Sequence, residues 1–260
     1  GSLSANGYLE RLGGTTKPWI EFTAKAETQK LGDFTKSYGI EFPYTGTGIA
    51  AGEIRGHPGD THVRNLEIQL FTEAATIEAN GSIGPFGKAA QFDMPFKIDS
   101  QDLSKLVEPL GATLPVGFKG QAVGRLAGMP KAVDVKDIKL NVTSELIDMN
   151  AHGVIGPLGA SAVFNMPFTA QSGDLAALAK AFDLDSPFGG EVGFSAVLAG
   201  TVDALDLNGV SVQLDNDFGR FGLNGRVASL GPDAELELDI DVAVPDLARL
   251  GPVLDWPLDQ

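Results

Sequence analysis

Apolar residues fall at every second position along much of the chain. From 234 to 242, Ala234, Leu236, Leu238, Ile240 and Val242 alternate with Glu235, Glu237, Asp239 and Asp241. A period of two sends successive side chains to opposite faces of a strand, so this stretch predicts a strand with one apolar and one acidic face. The same alternation runs through Ile20, Phe22, Ala24 and Ala26, through Phe92, Met94, Phe96 and Ile98, and through Phe164, Met166, Phe168 and Ala170. Further strands are predicted through Phe118, Gly120, Ala122, Gly124 and Leu126, through Val135, Ile138, Leu140 and Val142, and through Ile147, Met149 and Ala151. The three-residue step from Val135 to Ile138 predicts a bulge. Asn80-Gly81 and Asn224-Gly225 fit either a tight turn or a strand interior.

A second pattern interrupts the first. Leu103, Leu106 and Leu110 are spaced i, i+3, i+7, as are Leu31, Phe34 and Tyr38, then Leu175, Leu178 and Phe182, then Leu247, Leu250 and Leu254. That spacing predicts short amphipathic helices of about ten residues. Thr28, Ser100 and Ser172 stand three positions ahead of the first apolar residue and are predicted as N-caps. In the last instance Val244-Pro245 replaces them, and proline suits a first helical turn.

The two patterns recur together. Leu31, Leu103, Leu175 and Leu247 are 72 residues apart, and Pro43, Pro115 and Pro187 keep the same step. So do Gly56, Gly128 and Gly200, and Gly81, Gly153 and Gly225. Phe92-Asp93-Met94-Pro95-Phe96 reappears at that offset as Phe164-Asn165-Met166-Pro167-Phe168. Many independent positions sharing one ungapped offset predict a tandem array. Its units are 3–76, 77–148, 149–220 and a truncated fourth, 221–260, each of roughly four strands and one short helix. Together they are expected to form one continuous elongated domain, a segment of a longer protein. Gly1-Ser2 reads as an expression scar.

Short links between strands predict antiparallel neighbours and one sheet that grows unit by unit. A flat sheet would expose its apolar face along its whole length, which monomers rarely do. Either the sheet curls into a trough lined by that face, or it closes as a filled sandwich. Stacked units are expected to align Phe22, Met94, Met166 and Leu238 in one row, Ala24, Phe96, Phe168 and Ile240 in a second, and Ile20, Phe92, Phe164 and Leu236 in a third. At ~4.8 Å between strands, four strands per unit give ~19 Å per unit and ~65 Å in all.

Composition narrows the function. The formal net charge is −15, with 34 acidic against 19 basic residues. Nucleic-acid affinity comes from Lys and Arg neutralising phosphates, so nucleic acid is not an expected partner. Anionic membrane surfaces should repel the chain as well. There is no cysteine, hence no disulfide and no thiolate chemistry. No apolar run approaches the ~18 residues of a membrane-spanning helix.

Candidate chemistry is sparse. His57 and His62 share a loop with Asp60. A transition-metal site needs three or four matched ligands, so a solvated loop is the expectation. His152 falls in a strand without a nucleophile signature. The Asp and Glu rows occupy the outer face and read as solvated. The glycine-rich runs lack the Lys-Ser/Thr of a phosphate loop. No catalytic residue, metal site or cofactor is expected, and the chain is not expected to be an enzyme.

Three features resemble the AsmA-like and TamB-like proteins of Gram-negative bacteria. They are the Asp-Leu-x-x-Leu helix with a following Leu-Pro step (Asp102-Leu103, Leu106, Leu114-Pro115), the glycine-rich strand ending in Leu-Ala-Gly (Leu126-Ala127-Gly128, Leu198-Ala199-Gly200), and the alternating strands with Asn-Gly. The resemblance spans the segment. It implies a mainly β fold: an elongated, curled antiparallel β-groove from tandem 72-residue repeats, each with one short helix. It further implies a periplasmic bridge-like lipid transfer protein, anchored at the inner membrane through a segment outside this one. The implied partners are lipid acyl chains and membrane proteins at the inner and outer membranes. The groove lining is then expected to be Ile20, Phe22, Phe92, Met94, Phe96, Ile98, Phe164, Met166, Phe168, Leu236, Leu238 and Ile240. A scaffold for outer-membrane protein or envelope biogenesis is the alternative.

Overall fold

A computed structural model of the protein describes residues 1–10, 17–36, 43–86, 90–110, 114, 117–129, 132–158, 161–201, 203–231 and 234–246. The side chains of Phe34, Phe92 and Leu110 lie outside that description. The predicted helix residues Tyr38, Leu247, Leu250 and Leu254 also lie outside the described residues.

The chain is mainly β. Fourteen strands form one antiparallel sheet in sequence order, each paired with the strand before it. They are β1 (Ser2–Glu10), β2 (Trp19–Thr28), β3 (Gly46–His57), β4 (Asp60–Thr72), β5 (Thr76–Gly84), β6 (Gln91–Ser100), β7 (Lys119–Met129), β8 (Ala132–Thr143), β9 (Asp148–Gly156), β10 (Val163–Ser172), β11 (Glu191–Thr201), β12 (Ala204–Asn216), β13 (Gly219–Ala228) and β14 (Glu235–Ala243). Among the described residues the sheet is not closed, and β1 and β14 are the first and last strands in its order. Three short helices follow β2, β6 and β10: α1 (Leu31–Lys36), α2 (Ser104–Val107) and α3 (Leu175–Ala181).

Two compact units divide the chain. One comprises Gly1–Leu114, Phe118–Lys139 and Val154–Gly159. The other comprises Pro115–Gly117, Leu140–Gly153 and Ala160–Gln260.

Among the described residues the helices run 6, 4 and 7 residues, and α2 continues as a 3-10 turn over Glu108–Leu110. Their caps differ from expectation. Asp174, in an extended conformation, accepts hydrogen bonds from the backbone N–H groups of Ala176 and Ala177 and caps α3. Ser172 is buried at the end of β10 and receives the N–H of Asp174 instead. Ser100 is likewise buried, and its hydroxyl donates to the carbonyl of Ala74 at 2.7 Å. Ser100 ends β6 four positions before the first residue of α2, and Ser172 ends β10 three positions before that of α3. An ionised carboxylate one residue from the first helical position meets the free N–H groups better than a hydroxyl held by the sheet.

The bulge expected between Val135 and Ile138 is present in form. Asp137 adopts φ 53°, and Val135 and Ile138 are both buried. The same left-handed residue appears at Asn65 (φ 49°) in β4 and Gly209 (φ 58°) in β12. In β4 the register slips by one residue against both β3 and β5. In β12 it slips against both β11 and β13. Asn, Asp and Gly are the residues that tolerate this conformation best.

Gly81 and Gly225 resolve to strand interiors, in β5 and β13, rather than turns. At Gly81 (φ 146°) an added Cβ would come 2.1 Å from the carbonyl oxygen of Asp93 on β6. At Gly225 (φ 155°) it would come 2.0 Å from that of Glu237 on β14. Only glycine allows these strands to approach so closely.

Candidate functional site: the apolar face of the sheet

Alternation gives each unit a face of apolar side chains, and the strand register arranges them in rows. In the first unit Phe22 lies opposite Ile54, Ile54 opposite Val63, Val63 opposite Ile83, and Ile83 opposite Phe92. A second row runs Ala26, Ala50, Ile68, Ala79, Phe96 and Gly124. A third joins Leu70, Ile77, Ile98 and Ala122. In the second unit Met166, Leu198, Leu207, Val227 and Leu236 share one row. Ala170, Phe194, Val212, Leu223 and Ile240 share another.

These rows correct the expected alignment. Phe22 shares its row with Phe92, not Met94, and Met166 shares its row with Leu236, not Leu238. Phe96 is aligned with Ala26 rather than Ala24, and Ile240 with Ala170 rather than Phe168. The displacement is two residues in every case. Hydrogen-bonded rows run perpendicular to the strands, and the turns and bulges between β2 and β6, or β10 and β14, stagger sequence-equivalent positions along the strand.

Burial is graded along the face. Met94 is 5% exposed, and Ile20, Phe22, Phe96, Ile98, Phe164, Met166 and Phe168 are half-buried. Leu236 and Ile240 are 66% and 74% exposed, and Leu238 is exposed too; among the described residues β14 has a strand on one side only. Among the described residues no large side chain is fully buried. Phe168 and Phe194 pack with ring centroids 5.3 Å apart, tilted by 38°, a favourable aromatic geometry.

Glycines make room for the larger side chains. A Cβ on Gly124 would come 2.8 Å from Phe96 Cζ. A Cβ on Gly120 would come 2.9 Å from both Leu103 methyls, so the residue leading into α2 rests on β7. Leu31, the first residue of α1, lies over Gly48 in the same manner and is buried. The period-two pattern includes Gly120 and Gly124, in step with Phe118, Ala122 and Leu126, but not what they make room for.

The opposite face is polar and ion-paired. Arg55 bridges Glu21 at 3.1 Å and Glu53 at 3.0 Å. Arg125 grips Asp93 through Nε and Nη2 at 2.6 and 2.7 Å. Arg226 reaches Asp206 at 2.7 Å. Hydrogen bonding from Arg125 holds the Asp93 carboxyl below its ordinary pKa. Hydrogen bonds from Tyr8 and Trp19 do the same for Glu21, and the shared proton of Tyr8 raises the phenol.

His57 Nδ1 lies 2.8 Å from the carbonyl oxygen of Pro18, and its ring meets Trp19 edge-on at 5.2 Å. His62 Nε2 lies 3.4 Å from Asp60 Oδ1. Among the described residues no three His, Cys, Asp or Glu side chains are grouped to hold a metal ion. His152 and Ser195 border one open hollow of about 280 Å³, with no hydrogen bond joining them among the described residues. No helix of the described residues is long and apolar enough to cross a membrane. The chain matches no family model, no curated protein and no solved structure in the comparisons made.

Proposed function

We propose that the apolar face is a lipid-bearing surface and that the chain is a non-enzymatic lipid conduit. In this reading the sheet is elongated and curls about that face, built from tandem 72-residue repeats. Acyl chains lie along the apolar rows while head groups stay in water. The setting is the periplasm of a Gram-negative envelope, with (phospho)lipid passing between the inner and outer membranes and membrane proteins meeting the chain at each.

One observation carries the proposal. Broad apolar rows such as Phe22–Ile54–Val63–Ile83 coexist with large side chains left half-buried on that face, Phe22, Phe96, Phe164, Met166 and Phe168 among them. A filled sandwich of this length would seal several such residues in a dry core. A face left half-covered invites a removable apolar ligand. Each methylene moved from water onto it contributes about 0.8 kcal/mol. Met94, Met149 and Met166 add an adaptable lining for chains of varied shape. The succession of strand, short helix and three strands occurs three times, which supports the repeat reading.

Organic extraction of the purified protein, followed by mass spectrometry, tests it. Co-purifying phospholipid is expected, as is uptake of fluorescent phospholipid from vesicles by the delipidated protein. A protein that carries no lipid and takes none up overturns the reading.

A further inference from the structure

We propose that Asn208 is a self-modifying residue: its side chain closes on the backbone nitrogen of Gly209 and is converted to aspartate and isoaspartate. This does not depend on the lipid reading. The sequence has four Asn-Gly steps, beginning at Asn6, Asn80, Asn208 and Asn224. A glycine after asparagine leaves the attacking nitrogen without a shielding side chain. Sequence ranks the four steps alike, and the sheet separates them.

Three of them sit in register with a neighbouring strand. Asn6 and Gly7 lie opposite Thr23 and Phe22 on β2. Asn80 and Gly81 lie opposite Glu67 and Leu66 on β4, and Asn224 and Gly225 lie opposite Asp239 and Leu238 on β14. Gly7, like Gly81 and Gly225, is pressed against neighbouring backbone: an added Cβ would come 2.0 Å from the carbonyl oxygen of Glu21. The fourth step differs. Asn208 opposes Val197 on β11, but Gly209 falls in the bulge and stands opposite no residue of β11 or β13. Gly209 is exposed, and an added Cβ there would meet nothing within 4 Å. It also borders the open hollow beside His152 and Ser195, where water reaches it.

Cyclisation needs the peptide plane between the two residues to rotate until asparagine Cγ meets the next nitrogen. A residue held in a ladder must first open locally, at a free energy set by the strands around it. A bulge residue is outside the ladder. The Gly209 nitrogen, losing its proton to hydroxide, attacks Asn208 Cγ. The new C–N bond closes a succinimide as the Cγ–Nδ2 bond breaks, and Nδ2 takes a proton from water and leaves as ammonia. Water then opens the ring. Cleavage at Cγ gives aspartate, and cleavage at the main-chain carbonyl gives isoaspartate. Asn208 shares its face with Asp206, two positions away, whose carboxylate holds Arg226 at 2.7 Å. The carboxylate formed therefore lands among charged groups and not on the apolar rows.

Peptide mapping by mass spectrometry tests this on the intact chain, kept folded or in urea at mildly alkaline pH and body temperature. In urea the Asn-Gly steps should deamidate at similar rates. Folding should slow Asn80 and Asn224, which have a strand on either side, by at least about tenfold, and Asn208 by less than about threefold. An isoaspartyl methyltransferase should label the aged folded chain at Asn208 first. Asn208→Gln should remove that label, and Asn208→Asp should keep the circular dichroism spectrum. An Asn208 protected as strongly as Asn80, or reacting no faster than Asn224 in the folded chain, overturns the proposal.

Discussion

Phe96 on β6 lies against Gly124, its direct partner on β7: a methyl group built on that glycine would fall 2.8 Å from Phe96 Cζ. The aromatic ring and the missing side chain are one packing unit. Gly124→Ala should therefore cost about 1–3 kcal/mol through overpacking. In a Phe96→Ala background most of that cost should disappear, giving a coupling above about 0.5 kcal/mol. Urea denaturation of the four proteins in the cycle measures it. Additive costs would show that ring and glycine do not share the space.

Phe96 also separates a lipid face from a filled core. It is half-buried in a row that reaches Ala79 and Gly124. Phe96→Asp places a carboxylate there, and an unpaired charge sealed from water costs several kcal/mol. On a face open to water the aspartate reaches solvent. The variant should then keep its circular dichroism spectrum and lose phospholipid uptake. A folded variant with full uptake contradicts the conduit, and an unfolded one favours the filled core.

Asp93 reports on the polar face. Its folded pKa is depressed, first by the hydrogen bonds from Arg125. The linked stability is therefore present above the unfolded value of ~3.9 and lost as pH falls through the folded value. Both side chains are about half exposed, so the effect is that of a screened surface pair. Arg125→Gln should raise the Asp93 midpoint in an NMR titration of its carboxyl carbon. An unmoved midpoint would show that Arg125 is not the cause.

The left-handed bulge residues should tolerate glycine and reject branched side chains. Asn65→Gly should be close to neutral, whereas Asn65→Val should cost about 1–2 kcal/mol, because a β-branched residue resists positive φ. Gly209→Val should behave like Asn65→Val. Thermal unfolding checks all three, and a neutral Asn65→Val would mean that the bulge relocates freely.

The outcome divides along a physical line between local and cumulative effects. Alternation, a local property, placed the strands and told the apolar face from the charged one: Met94 and Phe96 against Asp93 and Lys97. The step from Val135 to Ile138 marked the β8 bulge, since an extra residue must break a period of two. The leucine spacing marked the three helices of the described residues. Which residues meet across strands was not local. Phe22 aligns with Phe92 because register sums the turns and bulges between β2 and β6, and an uncertainty of one residue in any of them shifts the row. Caps depend on where each strand lets go, so Ser100 and Ser172 joined the sheet and Asp174 took the helix. The exposure of Leu236 and Ile240 was equally illegible in the pattern. Ile98 and Ile240 both fall on the apolar side of the alternation, but among the described residues Ile98 has a strand on either side and Ile240 on one side only. Burial is a property of neighbours, and only the tertiary structure supplies them.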